Sequence, residues 1–206
     1  MSYTTLPTPD SLQRTMDAVK ARGITVELVA TKEAALARLQ ALIPAGAVVM
    51  TAGSVTLTQI GFDALLISGS HPWRNFKAEL LAEKDPVKQS ALRLQGITAE
   101  YFLGSVNAIA ETGELVFASA TGSQLPAYSF TSRNIIWVAG AQKIAATLDE
   151  ALWRLREYVL PMEDERQKNA GNKNGTFIGK ILIMEREPAY LRRNLTLILV
   201  NEVLGF

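Results

Sequence analysis

Hydrophobic positions along the chain fall into two alternating rhythms. From Asp10 to about Arg22, Leu12, Met16 and Val19 recur at helical spacing, with Asp10 placed to cap the helix and Gly23 to end it. The next run, "ITVELVA", is apolar and β-branched and reads as a strand. Thr31 is placed to cap a second helix, with Ala34 and Ala35 inside it and Leu36, Leu39, Leu42 and Ile43 on one face. "PAGAVVM" is a turn leading into a short buried strand. Helix, strand, helix, strand, with apolar strands that do not alternate, predicts a parallel sheet covered on both faces.

Residues 55–69 read as helical with an interruption at Gly61, and "SHPWRN" breaks the pattern. A helix follows from about Asn75 to Gln95, kinked or divided at Pro86. Its charge-rich stretch "KAELLAEKDPVKQSALR" reads as a solvated face or a contact between copies of the chain. "ITAEYFLGS" is a strand, "NAIAETGELVFAS" a hairpin with "ETGE" at its tip, and "NIIWVAG" another buried strand. Thr147 or Asp149 opens a helix to about Tyr158, and after Pro161 a polar segment, about 162–176, reads as a mobile loop or short helix. "FIGKILIM" and "LTLILV" are two closing strands. With no repeat and no linker, the expectation is one domain over residues 1–206, with a short tail over about 1–9.

Composition narrows the chemistry. The 206 residues include no cysteine, which excludes disulfides, thiolate-bound iron–sulfur clusters, cysteine-bound metal and cysteine nucleophiles in this chain. One histidine, His71, excludes a multi-histidine metal site and stands without a visible Ser or Asp partner. A net charge of +1 provides no broad basic field for nucleic acid. The polar "MSYTTLPTPD" is neither a signal nor a transit peptide, and no apolar run approaches the roughly 18 residues of a membrane span, so the expectation is a cytoplasmic protein.

Four segments have the residue types of a site. In "VVMTAGSVTL" a buried strand ends in a small-residue turn before a helix, where Gly53, Ser54 and Thr56 offer amides and hydroxyls to an anion, although Ser54 equally suits a helix cap. Gly122 and Ser123 in "ATGSQLPAY" form a second such turn; two turns at strand ends matter because ligands of open parallel sheets gather there. Lys143, after a buried strand and a Gly turn, is placed to neutralise a bound phosphate or carboxylate. In "GSVNAIAETGELV" Asn107 follows an apolar strand and must find partners if buried. Glu111 becomes a candidate catalytic carboxylate only if the hairpin points inward, and Glu114 reads as solvated.

Together "TAGSVTLTQIG", "YFLGSVNAIAETGELV", "ATGSQLPA", "IIWVAGAQKIAATLDEAL" and "LILVNEVLGF" resemble the LUD domain family, whose members include the small C subunit of a bacterial lactate-utilisation operon. The resemblance runs from about residue 10 to 206 and is most specific over 98–155. It implies an α/β fold of three layers, a doubly wound, mostly parallel sheet with small antiparallel additions, similar to the sugar-phosphate isomerase and CoA-transferase superfamily. It implies a small anionic metabolite, a carboxylate or phosphate, held near the Gly53–Thr56 turn. It implies, as partners, iron–sulfur subunits of a lactate-oxidising system, since a cysteine-free chain leaves redox centres to others; a homo-oligomer stays open. By the same resemblance, several enzymatic cousins carry Asp where this chain has Asn107, and an amide is no general base. The alternatives are a stand-alone isomerase, a CoA or acyl transferase, a cyclo-ligase-like enzyme, or an interaction module.

Overall fold

The computed structural model describes residues 3–206. Helix α1, Pro9–Ala21, is capped by Thr8, whose side chain accepts from Ser11 N, and Pro9 opens the first turn. The cap therefore lies two residues before Asp10, which contributes a charge to the first turn instead. Strand β1, Thr25–Val29, and helix α2, Lys32–Leu42, follow, the latter capped by Thr31. Strand β2, Val48–Thr51, leads to two short helices, α3 (Val55–Gln59) and α4 (Phe62–Ser68). They part at Gly61, whose φ of 85° lies in the left-handed region that costs glycine little. Strand β3 (Arg74–Asn75) precedes α5 (Phe76–Ala82) and α6 (Pro86–Gly96), so Pro86 divides the charged stretch into two helices.

Strand β4 (Tyr101–Gly104) runs into a hairpin of β5 (Ala108–Ala110) and β6 (Leu115–Ser119). Strand β7 (Asn134–Gly140) is buried at every position, and a tight turn joins it to β8 (Ile144–Ala145). Helix α7, Leu148–Arg154, is capped by Thr147 and continues through a wide π-type turn into α8, Leu160–Asn169. The polar stretch after Pro161 is thus helical over most of its length. Glu163–Arg166 and Asp164–Lys168 pairs at one-turn spacing tie its exposed face. Strands β9 (Lys180–Met184) and β10 (Asn194–Val200) complete the chain's regular elements.

Six strands form an entirely parallel sheet in the order β1-β10-β7-β4-β2-β3. Alternate residues of its central strands face opposite cores. Trp137 and Ala139 of β7 with Leu197 and Leu199 of β10 join Leu12, Met16 and Val19 of α1 on one face. Ile136 and Val138 with Ile198 and Val200 meet Ala35 and Leu39 of α2, Leu57 of α3 and Phe62 of α4 on the other. Burying each large apolar side chain is worth about 1.5–3 kcal/mol. A second sheet, β8-β5-β6-β9, packs beside α1, with Leu115 and Phe117 turned to the first core and Val116 turned to Ala151, Leu155 and Val159 under α7. These are the small antiparallel additions expected from the sequence, although β5 and β8 pair in parallel. Among the described residues no helix is long and apolar enough to cross a membrane.

Candidate functional site

Three neighbouring strands of the main sheet, β2, β4 and β7, end side by side, because β4 pairs with both of the others. The segments that leave them are the ones that carry the polar residues singled out in the sequence. After β2 come Gly53, Ser54 and Thr56; after β4, Ser105 and Asn107; after β7, Lys143. A cleft of about 510 Å³ opens there, a size suited to a small molecule. Its position beyond the strand ends of a parallel sheet is where such folds bind ligands.

Lys143 is the centre of this arrangement. It is 3% exposed, and its Nζ donates to Thr56 Oγ1 at 3.2 Å, Ser105 Oγ at 3.1 Å and the Val106 carbonyl at 3.1 Å. Burial, and then the charge of Arg154, push its pKa down to about 7. Both hydroxyls can donate as well as accept, so the same contacts accommodate the ammonium and the neutral amine. The closing segment passes directly over it. A Cβ on Gly205, whose φ is +65°, would collide with Thr56 Oγ1 and crowd Lys143 Nζ. Gln142 holds that segment down: its Nε2 donates to Leu204 O and its Oε1 accepts from Leu204 N.

Ser54 caps α3, its Oγ accepting from Leu57 N at 3.2 Å, and also lines the cleft, so the structural and site readings coexist. No neighbouring atom would meet a Cβ at Gly53, so packing does not require the glycine and the turn stands open to the cleft. Thr51 adds a buried Oγ1 that meets no partner among the described residues, although the cleft lies against it. Asn107 fixes the base of the hairpin: its Oδ1 accepts from Ala118 N at 2.7 Å, its backbone N–H donates to Val116 O, and Nδ2 bonds to no described group. In the second turn Ser123 lines the cleft but Gly122 does not. Gly122 has a φ of +84° with the Lys180 side chain where its Cβ would be, and its N–H donates to Ser119 Oγ.

Glu111 and Glu114 are elsewhere. Glu111 accepts from Ser11 and from Arg14 at 2.9 Å on α1, which hold its pKa below the usual carboxylate value, Ser11 first. The hairpin tip thus points away from the cleft, and Glu111 is not part of its wall. Glu114, expected to be solvated, is instead buried at 8% exposed: it accepts from Arg22 and Thr112, and Arg22 also reaches Glu185 at 2.8 Å. His71 stacks on Trp73 and accepts from its backbone N–H, which leaves Nε2 to donate to Leu66 O; it is structural.

The structure adds residues that the sequence pattern hid. Lys77 of α5, Arg93 of α6 and Arg166 of α8 line the cleft, with Glu163 the one acidic side chain among the described lining residues. Lys77 is held below the ordinary lysine pKa by burial. In the sequence these cations are lost within charge runs that read as solvated. The Tyr128 hydroxyl reaches the cleft over Gly104, where any Cβ would collide with it, and burial raises its pKa. Ser105 stands two residues before Asn107, in the same segment after β4, and could have been found from that position. Among the described residues no group of three His, Asp or Glu could hold a metal ion.

Comparison with known proteins accords with this architecture. A solved structure of a DUF162 family protein from Deinococcus radiodurans superposes with a TM-score of 0.55 at 15% identity, covering 96% of this chain and 100% of that one. The likeness at this identity is one of fold. No curated protein matches the chain. The family model for the LUD domain matches residues 12–185, a span that contains every cleft segment before the closing strand, and the chain belongs to the LUD domain family.

Proposed function

We propose that the cleft binds a small organic anion, a carboxylate or a phosphate ester, with Lys143 as its principal cation. The observation that carries this reading is the convergence of one buried amine and the Ser54, Thr56 and Ser105 hydroxyls at three adjacent strand ends. Lys77 and Arg93 in the cleft wall add a positive field that draws in an anion, whereas the charge of Arg166 is balanced by Glu163. Asn107 offers its spare amide, and Ser123 closes the far side. We connect this binding to oxidation of lactate or a similar hydroxy acid, with the chain as a cytoplasmic accessory subunit. On this reading electron transfer belongs to iron–sulfur partner subunits, since a chain without cysteine cannot hold such a cluster through thiolate.

A thermal-shift panel of hydroxy acids, oxo acids and phosphate esters tests the binding, because a ligand that takes only the folded state raises the melting temperature by mass action. Stabilisation by at least one class, lost in Lys143→Met, is the expected result. A panel without response, or a Lys143→Met protein that responds as the wild type does, overturns it. Copurification from cells, with iron content measured on whatever proteins accompany the chain, tests the pathway assignment, which fails if the chain travels alone.

One observation favours a second reading, catalysis by the chain itself. An amine whose pKa is about 7 is partly neutral at physiological pH and therefore nucleophilic. Its nitrogen could add to a substrate carbonyl carbon and release water as an imine forms. Treatment with a 2-oxo acid and cyanoborohydride would then leave a reduced adduct on the Lys143 peptide. No adduct leaves binding alone.

A further inference from the structure

A second cavity, of about 280 Å³, has Tyr3, Thr5, Ala145, Ala146, Glu150 and Arg154 in its wall and shares no lining residue with the Lys143 cleft. Arg154 is 1% exposed and its cation has no carboxylate partner among the described residues. Only Nη1 is engaged, donating to the Asn107 carbonyl at 2.7 Å, and the guanidinium lies 5.2 Å from the Tyr158 ring centre. Nε and Nη2 are buried and meet no acceptor among the described residues. A buried cation left unpaired in this way is costly, and the cost is relieved when an anion supplies the missing acceptors.

The two idle donors form one edge of the guanidinium, the edge that grips two oxygens of a carboxylate in parallel. This protein uses that edge three times elsewhere. Nε and Nη2 of Arg38 hold Glu27 at 2.5 and 2.8 Å, those of Arg74 hold Glu79 at 2.7 and 2.7 Å, and those of Arg166 hold Glu163 at 2.7 and 2.6 Å. At Arg154 the same fork stands without its carboxylate in the wall of this cavity, closed to the open space, so a ligand reaches it as the side chains around it shift. The natural internal partner is Glu150, one turn earlier on α7, where an acidic residue before a basic one ordinarily pairs. Its Oε2 accepts instead from Ala146 N at 3.0 Å, across the same cavity wall.

We propose that this cavity is a second ligand site, which takes a small carboxylate bearing a hydroxyl or ammonium group on the neighbouring carbon. The carboxylate lies on the Nε–Nη2 edge of Arg154 and the donor group faces Glu150. The site shares no lining residue with the Lys143 cleft, although the two cations feel each other's charge, so an anion on Arg154 also eases protonation of Lys143.

Full-length protein labelled with nitrogen-15 arginine tests the proposal through the Arg154 Nε–H resonance, titrated with acetate, glycolate and glycine. The expected result is a saturable shift of that resonance, with glycolate or glycine binding several-fold more tightly than acetate. Ala146→Leu, which adds bulk at an exposed position of the cavity wall and leaves Arg154 in the chain, should weaken binding by roughly tenfold or more. Arg154→Lys, which keeps the charge and loses the fork, should do the same by thermal shift, whereas Lys143→Met should retain the titration. A resonance that stays fixed with all three compounds, or that moves equally in Ala146→Leu, overturns the site. Equal affinity for acetate and glycine overturns the role given to Glu150.

Discussion

At the tip of the β5–β6 hairpin, Glu111 and Glu114 direct their four carboxylate oxygens at Ser11, Arg14, Arg22 and Thr112. At its base, one short strand away, Asn107 leaves an amide unused, and Ser105 and Thr56 share their hydroxyls with a lysine that is half-neutral near pH 7. Residue type alone would rank the two ends the other way, since carboxylates are the commoner acids and bases of enzymes. The difference lies in what the fold has already satisfied. At the tip, hydrogen bonds and charges are complete and serve to clasp the hairpin to α1. At the base, buried polar groups have capacity left over, and that capacity is what a ligand meets.

Breaking the tip should cost the most stability. Arg22→Ala strands Glu114 in a buried position and removes bonds to Thr112 O and Glu185 O, so a loss of about 3 kcal/mol in denaturant unfolding is expected. Ligand affinity of the protein that remains folded should be unchanged. If it falls sharply, the tip is not merely a clasp.

Breaking the base should do the reverse. Lys143→Met is expected to reduce anion affinity by roughly tenfold or more, about 1.4 kcal/mol or above, with little change in unfolding at pH 7. Calorimetric titration checks this, and equal affinity would remove Lys143 from the site. The same residue sets a pH profile. The ammonium form attracts an anion, so affinity should fall as pH rises through about 7. Stability moves in the opposite sense. The unfolded chain holds the lysine proton up to the ordinary value of 10.5 while the folded one releases it near 7. Between those values the unfolded state therefore binds more protons, and wild type should gain up to about 1.4 kcal/mol per pH unit relative to Lys143→Met. Parallel curves for the two proteins would show that the lysine titrates normally.

The smallest effect is expected at Glu111. Arg14 is 62% exposed, so solvent screens its pair, and Glu111→Gln should cost under about 1 kcal/mol without affecting ligand binding. A large loss of ligand affinity in this variant would return Glu111 to the site.

Much of this contrast was legible along the chain, and the reasons are local. Leu12, Met16 and Val19 mark α1 because a helix repeats every three to four residues. The unbroken apolar run 134–140 marks β7 because both of its faces are covered. Lys143, Asn107 and the Ser54 turn stood out because each comes just after such a strand, and parallel strands bring their outgoing segments together at one edge of the sheet. The hidden part depends on contacts between distant segments. Nothing near Glu114 announces that Arg22 will enclose it, and nothing in "KAELLAEKDPVKQSALR" separates Lys77 and Arg93, on the cleft, from neighbours in water. The helix after Pro161 was obscured because charged residues make weak amphipathic patterns, and here one-turn ion pairs support it.

The strand order carries a further consequence, for how the molecule comes together. β1 is bonded within its sheet to β10 alone, with Thr25 opposite Thr196 and Val29 opposite Val200. β10 is also the wedge between β1 and β7. The first strand made is thus left without a neighbour until nearly the last one arrives, and closing so long a loop is entropically slow. During synthesis β1 must wait, and both of its edges are open to other chains until β10 has been made.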